Sequence, residues 1–134
     1  MSRKTTSDEK KFISLRLLSQ TQSPSDIVKP FISFNPKIWN KGEANTYGRQ
    51  HSYNGLEITL EYHADLEVDE EISRLLDAVQ PFQSYLTGLD DEWEIEISCV
   101  LYYSDSAPSL NLDKALIAKL AGISASIDID LYPI

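Results

Sequence analysis

The 134-residue chain has one cysteine, Cys99, and two histidines, His51 and His63. A single thiol excludes an intramolecular disulfide, and a cysteine-based metal site needs further ligands of that kind. The five glycines never cluster, so no glycine-rich loop can cradle a phosphate, and no serine occupies a G-x-S-x-G elbow. No apolar run approaches the roughly 18 residues of a membrane-crossing helix. No signal-peptide apolar stretch follows the polar start M-S-R-K-T-T-S-D-E-K-K. Positive charge is also short: 12 Lys and Arg against 21 Asp and Glu give a net charge of −9. That balance opposes the attraction on which nucleic-acid binding and docking to anionic membranes depend. The expectation is a cytoplasmic protein with no cofactor, no nucleic-acid partner and no membrane partner. Such charge attracts a basic protein, although it serves solubility as well.

What is present is enough apolar material for one core, at 42% hydrophobic and 10% aromatic residues. Residues 1–10 carry charge and hydroxyls but little to bury, and read as a flexible terminus ahead of a single domain spanning 11–134. Residues 11–19 place Ile13, Leu15 and Leu17 on one side of a first strand. Ser23 before Pro24, with Asp26 following, marks a helix start, and Pro30 keeps that helix short or kinked. Residues 34–49 read as a long loop pinned by Trp39. Leu56, Ile58, Leu60 and Tyr62 then alternate with Glu57, Thr59 and Glu61 in a second strand.

From Asp69 onward Ile72, Leu75, Leu76, Val79, Phe82, Leu86 and Leu89 recur at helical spacing, with Pro81 bending or dividing the helix and Gly88 ending it. Residues 93–103 alternate Trp93, Ile95, Ile97, Cys99, Leu101 and Tyr103 against Glu94, Glu96, Ser98, Val100 and Tyr102. Asn111 is placed to cap a third helix carrying Leu112, Leu116, Ile117 and Leu120. In residues 125–132, Ile127, Ile129 and Leu131 point inward and complete the core. The order is β-α-β-α-β-α-β. Strands with one polar face suit a two-layer α+β domain, with a four-stranded, mostly antiparallel or mixed sheet and the helices on one face.

The polar parity of these strands assembles the main candidate surface. Glu57, Glu61, Glu94, Glu96, Asp128 and Asp130 all point away from the helices, with Tyr102 and Tyr132 as amphipathic anchors. Three readings stand: a solvated face, an acidic platform for a basic partner, or a pair of carboxylates acting as general acid and base. A second candidate is a pocket near Trp39, His51 and Tyr53. Trp39 is either a lid facing a ligand or an indole that folds back to anchor its loop. Cys99 has inward parity, where a buried thiol is inert.

Three segments carry a family resemblance: S-P-S-D-I-V at 23–28, P-K-I-W-N-K-G-E at 36–43, and A-S-I-D-I-D-L-Y at 125–132. In this order they resemble the bacterial family called domain of unknown function 4279. The sequence departs from that family's pattern where Phe31-Ile32-Ser33-Phe34 replaces a leucine-glycine turn and where Tyr53 replaces a tryptophan. The resemblance implies the fold but no activity; similar small proteins occur in gene neighbourhoods where immunity proteins are common. The leading expectation is a non-enzymatic protein-binding domain with an immunity-like or regulatory role. The alternatives are a small-molecule-binding protein or enzyme using the His51 and Trp39 pocket, and a structural homodimer joined through an edge strand.

Overall fold

Ile13, Leu15 and Leu17 give the first strand its buried face, and every neighbouring strand is set in register by that stripe. The computed structural model describes residues 9–61 and 63–134. β1 (Lys10–Ser19) pairs antiparallel with both β3 (Asn54–Ile58) and β4 (Glu94–Tyr103). Leu15 therefore lies between Ile58 and Ile97, and Leu17 between Leu56 and Ile95. A one-residue slip would send each of these side chains to solvent, so burial fixes the register. β2 (Lys37–Trp39) adds antiparallel to β3, and β5 (Ser126–Pro133) adds parallel to β4. The sheet is thus mixed and five-stranded, in the order β2-β3-β1-β4-β5.

The expected four-stranded sheet lacked β2. Three residues are too few to show a period of two, and this strand lies inside what reads as loop. The segment after Ser23 also differs. It forms two 3₁₀ turns, Pro24–Asp26 and Lys29–Phe34, in place of an α-helix. Ser23 does cap the first, its side chain accepting from the Ser25 amide, but Pro30 sits at the start of the second and prevents a continuous run of amide bonds. The expected alternation of strands and α-helices is therefore replaced by β1, two 3₁₀ turns, β2, β3, an α-helix, a 3₁₀ turn, a short α-helix, β4, an α-helix and β5.

α1 (Val68–Val79) opens with Asp69, Glu70 and Glu71 in its first turn, and the Glu67 amide donates to Glu70 Oε1 at 3.1 Å. These carboxylates lie at the positive end of the helix dipole. Pro81 divides the helix as expected: a 3₁₀ turn, Gln80–Phe82, separates α1 from α2 (Gln83–Thr87). α3 (Lys114–Gly122) is capped by Asp113, whose carboxylate accepts from the Leu116 amide at 2.8 Å, and not by Asn111.

Ile72, Leu75, Leu76, Val79 and Leu86 join Leu116 and Leu120 in one core cluster with Ile13, Leu15, Leu17, Leu56, Ile58, Ile95, Ile97, Cys99 and Leu101. All of these strand residues share the inward parity, and each fully buried Leu or Ile contributes roughly 1.5–3 kcal/mol. The closing strand is the main departure. Ile127 packs partly against the cluster, but Ile129 is 37% exposed and Leu131 48%. The core is gathered on β1, β3 and β4 and reaches only Ile127 at the start of β5, so the rest of that strand does not complete it.

The expected flexible terminus lies, for residues 1–8, outside the described residues. β1 begins at Lys10, and the buried Glu9 accepts from the Ser104 amide and hydroxyl. Tyr62, expected on the inward face of the second strand, is likewise outside the described residues. No helix among the described residues is long and apolar enough to cross a membrane.

Candidate functional site

The other face of the sheet is built from the alternate residues of the same strands, and the register determines which of them meet. One row crosses four strands with alternating charge: Lys37 on β2, Glu57 on β3, Arg16 on β1 and Glu96 on β4. Opposite charges directly across adjacent strands support the pairing. Arg16 Nε lies 3.5 Å from Glu57 Oε2, and Arg16 Nη1 lies 3.9 Å from Glu96 Oε1. Glu57 Oε2 also accepts from Ser14 Oγ at 3.2 Å. Beside this row Ser14 faces Ser98, which faces Asp128, and both serines are buried.

One end of the face is closed by Trp39. Its indole lies against Gly55, where an added Cβ would come closer to the ring than real Cβ contacts allow. The glycine is needed for that approach and not for its dihedral angles, which lie outside the left-handed region. Trp39 is only 5% exposed. His51 stacks on it, with ring centroids 4.7 Å apart and planes inclined by 19°, and the Arg16 guanidinium carbon lies 5.4 Å from the ring centroid. The segment that brings His51 there is a small hairpin: the His51 amide donates to the Glu43 carbonyl at 2.8 Å, and the Gly42 amide to the His51 carbonyl at 2.9 Å. Gly42 and Gly48 turn this segment with φ of 91° and 77°, values that glycine adopts without steric cost.

The other end is aromatic. Phe12 meets Tyr102 edge to face with centroids 6.1 Å apart, and Tyr102 stacks on Tyr132 at 5.2 Å. Between the two ends the carboxylates converge at β4 and β5. Burial, and after it the nearby Asp128, Glu94 and Asp130, raises the Glu96 carboxyl above its ordinary value, against the lowering effect of Arg16. Burial lowers the His51 imidazole, followed by the positive charges of Arg16 and Lys37, with Glu43 and Glu57 opposing. Cys99 faces the core, and burial, assisted by Asp128, pushes its thiol up to about 12. A thiol so protonated is a poor nucleophile at neutral pH.

Of the residues expected on the polar face, Glu57, Glu94, Glu96, Tyr102, Asp128, Asp130 and Tyr132 all lie on it. Glu61 does not. β3 ends at Ile58, and the Glu61 carbonyl instead accepts from Arg74 Nη2. Trp39 and His51 come together, while the half-exposed Tyr53 makes no ring contact with either among the described residues. The indole is folded back onto the sheet, as in the anchoring reading. Sequence reasoning put Ser98 at this parity without counting it as a candidate, and did not count Arg16, Lys37, Ser14 or Phe12 as members of the site. The available signal was Arg16, a cation set among Leu15, Leu17 and Leu18 at the polar parity of the strand. A separate polar groove of about 450 Å³ runs between α1 and α3. There Lys119 Nζ bonds Asp77 at 2.8 Å and Ser73 Oγ at 3.0 Å, tying the two helices together.

These features define a small α+β domain with helices on one side of a mixed sheet and a charged, aromatic-ended face on the other. The chain belongs to the family described as Domain of unknown function (DUF4279), whose model matches residues 8–133. No curated protein and no solved structure matches it.

Proposed function

We propose that the chain is a non-enzymatic protein-binding domain that presents the open face of its sheet to a basic partner, in an immunity-like or regulatory role. The observation that carries this reading is the convergence of Glu94, Glu96, Asp128 and Asp130 on adjacent strands of that face, next to the Tyr102–Tyr132 stack. The crowding is strong enough for neighbouring carboxylates to help raise Glu96. A cationic surface placed there would relieve the repulsion, and tyrosines supply contact area at small entropic cost. Tyrosine is among the residues in which interface hot spots are enriched.

The test compares capture from the host by the wild-type chain and by a variant carrying Glu94→Gln, Glu96→Gln, Asp128→Asn and Asp130→Asn. The wild type retains a basic protein that elutes with salt, and the variant does not. Equal recovery of the same proteins by both forms would count against the acidic face.

A further inference from the structure

We infer that the free edge of β5 accepts an extended, basic segment of a partner protein as a sixth strand. This rests on the protein-binding reading above and specifies the geometry of engagement. β5 runs for eight residues and, among the described residues, pairs on one side only, with β4. Its other side therefore offers the row of backbone donors and acceptors that an edge strand presents. The protective devices are acidic ones, Asp128 and Asp130, which guard the edge against like-charged strands and not against basic ones. Residues 126–132 contain no lysine and no proline, Pro133 coming only at the end of the strand. The helix-side residues Ile129 and Leu131 remain exposed, as does the terminal Ile134.

Charge decides what can occupy that edge. In an antiparallel pairing of two copies about a two-fold axis through the sheet, residues of like parity face each other. A pairing centred on Ile129 sets Asp128 opposite the second copy's Asp130, twice. One centred on Asp130 sets that carboxylate against its own copy. Like charges directly opposite are destabilising, and each chain carries −9 overall. Pairings centred on Leu131 or Ile127 avoid the clash, but the first places Pro133, which has no N–H to donate, opposite Ile129, and the second pairs only Ser126–Asp128 of the strand with the other copy's strand. A strand with Lys or Arg at alternate positions turns each of these repulsions into an attraction. If its other residues are β-branched, they extend the apolar layer begun by Ile129 and Leu131. The fitting occupant is therefore a segment of alternating basic and apolar residues.

The experiment uses the full chain and two soluble peptides as long as β5, one alternating lysine with valine and one alternating lysine with glycine. The peptides have equal charge but differ in their tendency to form strands. The lysine–valine peptide binds at least about tenfold more tightly and slows hydrogen exchange of β5 backbone amides. Asp128→Lys with Asp130→Lys weakens it by about tenfold or more and creates affinity for a glutamate–valine peptide. Asp128→Asn with Asp130→Asn, the milder pair, gives an intermediate loss if reversal perturbs folding. Equal binding of the two lysine peptides without protection of β5 overturns the strand mode while leaving the acidic face as a binding surface. Failure of every peptide to bind also overturns it; both readings fall if the partner-capture comparison shows no difference as well. Protection of β5 that grows with the chain's own concentration, without peptide, assigns the edge to a second copy and overturns the inference.

Discussion

Replacing Gly55 by alanine tests the packing that closes one end of the open face. The added Cβ would fall inside the Trp39 indole, which is almost wholly buried. Gly55 has no left-handed backbone requirement, so in an empty setting alanine should be tolerated in this strand and even stabilise it by roughly 0.4–1 kcal/mol through the unfolded chain. With the indole in place, either β2 or the ring must move, and overpacking of this kind costs roughly 1–3 kcal/mol. A net loss of about 2 kcal/mol lowers the melting temperature by roughly 6–10 °C for a chain of this size. Urea unfolding followed by far-ultraviolet circular dichroism measures the loss. The decisive control is Trp39→Val, which keeps a strand-forming residue but clears the space above Gly55. In that background Gly55→Ala becomes neutral or stabilising, so the two substitutions couple by about 2–3 kcal/mol. A Gly55→Ala chain within about 0.5 kcal/mol of wild type, or an undiminished loss in the Trp39→Val background, would refute the reasoning.

Four further outcomes follow from the same geometry. Ile129→Ser and Leu131→Ser each lower stability by less than about 1 kcal/mol, whereas Ile97→Ala costs about 2–5 kcal/mol, as urea midpoints will show if β5 lies outside the core. Glu96 is raised on folding, so its stabilising contribution is present below its unfolded value and is lost as pH rises through its folded one. Glu96→Gln accordingly gains stability relative to wild type between acid and neutral pH. His51 is depressed on folding, so protonation opposes the native state as pH falls below 6.5, and its imidazole resonances titrate below that value. Removing the adjacent cation with Arg16→Gln moves that midpoint upward. Cys99 is unreactive toward a thiol reagent at pH 8 until the chain unfolds, the modification rate following the unfolded fraction in urea.

The long alternating runs made most of this fold legible in the sequence. Ile13, Leu15 and Leu17, then Ile95, Ile97, Cys99 and Leu101, carry the periodicity of two that fixes β1 and β4, and Ile72 to Val79 carry the helical spacing of α1. Lys37–Trp39 was not legible, because a three-residue strand has no periodicity and the prolines and glycines around it read as loop. Asn111 and Asp113 are both acceptable caps, and only the start of α3 chooses between them. Parity placed the carboxylates on the open face, but it could not show that Glu57 and Glu96 flank Arg16, since that depends on strand order. The apolar side of β5 misled for the same reason: alternation shows which residues share a face but not whether a helix reaches far enough to cover it. The stack of Trp39 and His51 depends on a hairpin closed by backbone hydrogen bonds, which leaves no periodic mark.

The open face, with its converging carboxylates, is proposed to engage a basic protein. It is tested most directly by capturing host proteins on the wild-type chain and on the variant lacking the charges of Glu94, Glu96, Asp128 and Asp130, with equal urea midpoints confirming that both are folded. The expected result is a basic protein held by the wild type, released as salt rises, and missing from the variant. Identical proteins recovered in equal amounts by both would contradict it.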